Sequence, residues 1–297
     1  WSARHRSWIL TRYDDVLAGL KSTNLSVELG DDFLEKIPLG HPLHRYMKRW
    51  MVFTDPPNHK PYKRLLLPPF TVAAMAKLEP KARAICNALI DDFIGDGCCD
   101  AAQQYTRHIP VKVIAHMLGV PDSDSHLFIR WIHEILELGI TNDEVLQKAA
   151  DEMTEYFQEK VAERRAEPQD DLISDLIHAR LEGEPLDDRH LLGMLRLLLI
   201  AGIDTTWSAI GSGLWHFAQN HDQIQRLVSV DNDDVLWDTA NEEVLRYYAP
   251  VTMGRKVLTD TEVDLAEIAD TCQRMLNSNA RDSKVDLTMH VQSDLPI

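Results

Sequence analysis

The segment LLGMLRLLLIAGIDTTWSAIGSGLWHFAQN, residues 191–220, constrains this chain more than any other part of it. Its first half is apolar on nearly every face of a helix, and a helix of that kind lies in the middle of a protein rather than on its surface. Into it the sequence sets Ala201, Gly202, Asp204, Thr205 and Thr206. An unpaired buried carboxylate is expensive or takes up a proton, so a purely structural helix avoids one. Gly202 costs a helix about 1 kcal/mol relative to Ala, and threonine hydroxyls compete for carbonyls one turn back, so a local opening is expected here. Ala201 and Thr205 share a face, where small side chains let a flat group approach while a hydroxyl and an acid hand protons to it. On the helix alone a second account stands level with this one: the threonines satisfied by carbonyls and Asp204 ion-paired.

Helical periodicity also covers residues 73–94, 109–118, 125–138, 142–165, 171–181, 188–220 and 235–248, with Gly119 and Pro121 closing the second of these. Near the start, SWILTRYDDVLAGL predicts a short strand over 8–11 and then a helix capped by Asp14 or Asp15. After Pro250 short β-like runs over 255–258 and 262–263 return to a small sheet. No repeat or flexible linker marks a boundary, so the fold class is mainly α with a small β-sheet, in one domain over 1–297.

At 297 residues and 44% hydrophobic content the chain can bury a large core. Its formal net charge of −16 disfavours nucleic acid and anionic lipid as partners. The apolar run 191–203 is interrupted by Arg196 and is shorter than the roughly 20 residues of a membrane span. The opening WSARHRSW lacks the apolar core of a signal peptide, and the expected location is the cytoplasm. Cys86, Cys98, Cys99 and Cys272 show neither a CxxC pair nor zinc spacing and read as ordinary thiols.

Ala201-Gly202-Ile203-Asp204-Thr205-Thr206 resembles the oxygen-activating motif of the cytochrome P450 enzymes, the haem-thiolate monooxygenases, in the long helix that crosses the distal face of the haem. The resemblance implies that Asp204 and Thr205 serve proton delivery and that Ala201 and Gly202 lie against the haem. NEEVLRYYAPV resembles the family's Glu-x-x-Arg helix, which gives Glu243 and Arg246 a structural role. DPPNHKPYKRLLLPPFT resembles the stretch whose His and Arg bind a haem propionate: His59 matches the His, and Lys63 stands where the family has Arg. Lys63 keeps the charge but loses the planar fork, and the adjacent Arg64 is a substitute. Arg255 in VTMGRKV matches a second propionate-binding Arg. The motifs occur in the family's order from Trp8 to about Asp282. They imply a P450-like single domain, haem b as cofactor, a small hydrophobic substrate, and a ferredoxin or a flavin or iron–sulfur reductase as redox partner.

Asn279-Ala280-Arg281-Asp282 resembles the family's Asn-Arg-Asp turn, beyond which the family has a Phe-Gly-rich loop with the cysteine ligand. Here KVDLTMHVQSDLPI follows, and Cys272 in TCQRML falls where the family has an ordinary strand. The expected axial cysteine is therefore absent, no metal ligand is assigned, and the domain is read as partial. The 297 residues alone are expected to hold haem weakly or not at all and to be inactive. An alternative is a haemless helical remnant that binds a hydrophobic ligand or a partner. An isoprenoid synthase built on Asp91, Asp92 and Asp96 fits less well, because acids at helix ends ordinarily cap them or face solvent. Asp204 and Thr205 are expected to line the principal pocket.

Overall fold

The computed structural model describes residues 8–28, 51–140, 142–181, 183–229, 234–251, 254 and 256–258. The chain divides into two compact units, one formed by residues 1–27 with 255–297 and the other by residues 28–254. In the first, α1 (Tyr13–Lys21) leads to β1 (Leu25–Ser26), which pairs antiparallel with β4 (Lys256–Val257), Leu25 opposite Val257. Residues 8–11 form no strand: the described partner of β4 is the pair after α1. Asp14 and Asp15 lie in the first turn of α1 behind Arg12 at the cap position, where they face the positive helix end without capping it. Of the β-like runs after Pro250, the one over 262–263 lies outside the described residues.

The second unit is almost entirely helical. Among the described residues its helices are α2 (His59–Leu66), α3 (Val72–Asp91), α4 (His108–Leu118), α5 (Ser125–Leu136), α6 (Asp143–Ala166), α7 (Leu172–His178), α8 (Asp188–Gln219), α9 (His221–Ser229) and α10 (Asp234–Tyr248). Side-chain caps fix several starts: Thr71 accepts from Ala74 N–H, Asn142 from Val145 N–H, Asp171 from Ser174 N–H and Asp187 from His190 N–H. Gly119 ends α4 in the left-handed region at φ 72°, which an L side chain rarely adopts. The helix read over 171–181 stops at His178. Its last residues enter a hairpin of β2 (Arg180–Leu181) and β3 (Glu184–Pro185), turned by Gly183 at φ 93°.

The core is built around α4, α6 and the first half of α8. On α6 the buried residues Leu146, Ala149, Ala150, Met153, Phe157, Val161 and Arg164 recur at helical spacing along one face. On α8 burial goes nearly all round from Leu191 to Ile200, with Leu195, Leu199 and Ile203 fully enclosed. Phe128, Trp131, Tyr156 and Phe157 meet edge-on or tilted between α5 and α6, and the Trp131 indole N–H donates to Glu152 at 3.1 Å. By length and composition α8 is apolar enough to cross a membrane, with a mean hydropathy of 1.3 in its most apolar window. The helix is longer than the apolar run 191–203 suggests, yet that run is the part packed into the protein core.

Candidate functional site

The two halves of α8 differ in what surrounds them. Beyond Ile200 the burial becomes one-sided: Ala201 and Thr206 are exposed, Asp204 and Thr205 are half-buried, and Ile203 stays enclosed. The Thr205 hydroxyl donates to the Ala201 carbonyl at 2.9 Å, back-bonding that joins the two residues on the open face. Gly202 points elsewhere. A Cβ there would come within 2.7 Å of Ile114 Cδ1, so the missing side chain lets α4 pack against α8. Gly202 is thus a packing residue in this structure, and Ala201 and Thr205 carry the accessible surface.

Asp204 forms no ion pair among the described residues, so of the second account only the carbonyl-satisfied Thr205 holds. Burial first, and then the negative charge of Glu137 after the end of α5, raise the pKa of Asp204, while a hydrogen bond from Trp207 works the other way. Glu137 itself is held by His133 Nδ1 at 3.0 Å, one turn back. Nothing in the sequence of α8 points to Glu137, because it acts across the junction of two helices.

Among the described residues a cavity of about 390 Å³ lies between α3 and α4, walled by Ile85, Leu89, Ala115 and Val120 with Lys81 and His116 among its polar residues, and neither Asp204 nor Thr205 lines it. The open face of α8 has solvent in front of Ala201 and Thr206, and a pocket needs an opposing wall.

His59 opens α2 half-buried, and Lys63 and Arg64 lie exposed in its last turn, where cations suit the helix end. Neither Lys63 nor Arg64 forms an ion pair among the described residues. Arg255 lies outside the described residues, as do Cys272 and the turn at 279–282. On α10, Arg246 donates to both carboxylate oxygens of Glu243 at 2.6 Å each, a two-pronged pair one turn apart and well exposed. The Arg246 bond lowers the Glu243 pKa and raises its own.

These residues can be tested against a haem. A planar ring needs a surface free of long side chains, and Ala201 with Thr205 turned back onto its carbonyl provides one. Its propionates would need cations, and Lys63 and Arg64 form no ion pair among the described residues. The open small-residue face and the two cations suit these needs. An axial thiolate is not among the described residues at this face: Cys86 sits half-buried in a small cluster with Ile85, Leu89 and Ile109, and Cys98 and Cys99 are exposed.

The "Cytochrome P450" family model matches residues 82–277. The polyketide biosynthesis cytochrome P450 PksS of Bacillus subtilis is 28% identical over 85% of this chain and 62% of its own length. 6-Deoxyerythronolide B hydroxylase of Saccharopolyspora erythraea is 30% identical over 89% and 66%, and vitamin D(3) 25-hydroxylase of Pseudonocardia autotrophica is 32% identical over 83% and 60%. The chain thus spans less than two thirds of the length of most of the relatives it matches. The solved structure of PksS superposes with a TM-score of 0.76, covering 86% of this chain and 64% of the other. Since the family model spans more than half of the sequence, and a solved member shares its helical frame over most of its length, this chain belongs to the cytochrome P450 family.

Proposed function

We propose that this chain carries the distal wall and edge contacts of a haem b monooxygenase that hydroxylates a small hydrophobic molecule. On this reading residues 1–297 belong to one P450 domain, in a soluble cytoplasmic protein. The observation that carries the proposal is the exposed Ala201–Thr205 face with an acid of raised pKa beside it. When bound, the haem supplies the oxidising iron. The chain's own residues do the rest: the Ala201 methyl leaves room for the ring, and Thr205 holds a hydroxyl proton that rotation about its C–O bond can turn from the Ala201 carbonyl to the open side. Asp204 resupplies that proton, its pKa raised first by burial and then by the charge of Glu137. Gly202 keeps this turn seated on Ile114. His59, Lys63, Arg64 and Arg255 offer charge to the propionates, and Glu243 with Arg246 brace α10. Relatives whose names give 6-deoxyerythronolide B and vitamin D(3) hydroxylation support hydroxylation as the reaction class. Electrons would come from a ferredoxin or from a flavin or iron–sulfur reductase.

The test is Ala201→Trp in the full-length protein, read by haem absorbance and thermal melting. The expected result is lost haem retention with little change in melting, because Ala201 is exposed and the new side chain meets no core. Undiminished haem binding would remove this face from the proposal.

A further inference from the structure

At its N-terminal end α8 carries a second constellation that the proton chemistry at Thr205 does not use. Asp187 caps the helix with one carboxylate oxygen, accepting from the His190 backbone N–H at 2.9 Å, and its other oxygen binds His190 Nδ1 at 2.7 Å. A carboxylate only accepts, so Nδ1 carries a proton, and in the neutral tautomer the lone pair lies on Nε2. That nitrogen lies 3.0 Å from the phenol oxygen of Tyr62, whose ring stacks on the imidazole with centroids 4.9 Å apart and 19° between planes. In that tautomer the Tyr62 O–H donates to a base that is backed by an anion. Tyr62 is half-buried against the main core and lies on α2, one turn after His59.

Among the described residues two other tyrosines bond an oxygen or nitrogen acceptor, and both differ. Tyr156 donates to Asp124 at 2.8 Å, a carboxylate and thus a weaker base than imidazole. Tyr248 bonds His216 Nδ1 at 2.9 Å, but the far side of that ring meets the neutral amide of Gln223 at 3.0 Å. Hydrogen bonds with an ionised partner are roughly twice as strong as neutral ones, so an imidazolium formed at His190 is held better than one at His216.

We infer that Tyr62 is a redox-active tyrosine, giving an electron to a one-electron oxidant and, in the same step, its phenolic proton to His190. The balance is complete: the Tyr62 O–H bond breaks, an Nε2–H bond forms, the oxidant gains one electron, and a neutral phenoxyl radical remains beside an imidazolium bonded to Asp187. A thiol or similar one-electron donor reverses it, the proton returning from Nε2. That the natural oxidant is an oxidised haem rests on the proposed function; the relay itself does not. Its use would be to drain oxidising equivalents that find no substrate.

The test is flash oxidation of residues 1–297 with photogenerated ruthenium(III) tris-bipyridyl, followed by freeze-trapping and electron paramagnetic resonance. Wild type should give a neutral tyrosyl signal, most of it lost in Tyr62→Phe and in His190→Phe, which keeps the phenol but removes the proton acceptor. An undiminished signal in either folded variant overturns the inference. If either variant unfolds, wild type decides the matter through a strongly coupled exchangeable deuteron on the radical in heavy water, and its absence overturns the relay. Repeating the oxidation with the haem-loaded protein and hydrogen peroxide separates the two readings. A radical with ruthenium but none with haem leaves the relay standing and removes haem as its oxidant.

Discussion

Arg164 and Asp171 form an ion pair inside the protein: the guanidinium Nε donates to Asp171 Oδ2 at 2.5 Å, and both residues are more than nine-tenths buried. The same guanidinium donates to the Gly119 carbonyl at 2.5 Å, and Asp171 Oδ1 caps α7 through Ser174 N–H at 2.8 Å. One pair thus ties together the ends of α4, α6 and α7, beneath the α8 scaffold that presents the site.

Removing one partner leaves a buried charge and an unpaired carbonyl. Arg164→Ala is expected to lower stability by about 3–5 kcal/mol, the usual range for breaking a buried pair from one side. Replacing both residues by apolar ones should recover much of this, less the lost cap of α7. Urea denaturation of the single and double variants measures it, and a loss under 1 kcal/mol would mean the pair is not isolated from water.

Gly202→Ala sets helix propensity against packing. Alanine gains about 1 kcal/mol as a helix former, while its Cβ would lie 2.7 Å from Ile114 Cδ1, and overpacking costs about 1–3 kcal/mol. A net loss near 1 kcal/mol is expected, restored by Ile114→Val, which removes the clashing methyl. A double-mutant cycle in denaturant reads the coupling. Simple additivity would show that α4 yields without strain.

Asp204 gives a pH signature with a definite sign. Its folded-state pKa lies above the ordinary 3.8, so the folded protein holds the proton more tightly than the unfolded chain does. The associated stability is fully present below the unfolded pKa and is lost as pH rises through the folded one. Asp204→Asn removes this dependence, so the variant should gain on wild type as pH climbs from 4 to 7. Glu137→Gln should give a smaller change of the same sign, because burial is the larger cause. Parallel stability curves for wild type and Asp204→Asn across that range would contradict the assignment.

Thr205→Ala separates chemistry from folding. The hydroxyl bonds only a carbonyl of its own helix on an open face, so the melting temperature should hardly move. In the full-length, haem-loaded protein the coupling of electron consumption to product should fall, by the ~10²–10⁴ typical of a lost proton-transfer group. Restoration by Ser at this position would confirm the hydroxyl; unchanged coupling would take Thr205 out of the mechanism.

Much of the helical frame was legible because helices are local. The spacing of apolar residues along α6 and α8 and the stop at Gly119 lie within a few residues of what they control. The family was legible for the same reason, through short motifs on single helices. What failed was cooperative or long-range. The run over 8–11 has the β pattern but forms no strand, and α7 ends early because Gly183 allows a hairpin that competes with it. The helix α9 went unread between two stronger signals.

The division at the site is the same. The sequence by itself determined that an acid, a hydroxyl and two small residues interrupt a buried helix, since helical periodicity fixes which of them share a face. Only the tertiary structure decided that Gly202 serves Ile114, that Glu137 charges the surroundings of Asp204, and that Tyr62 meets His190 across 128 positions of chain. Asp187 and His190 stand three residues apart, but no local pattern points to their phenol partner. Contacts between helices depend on how side chains fill the space between them, and that is set by the whole core at once.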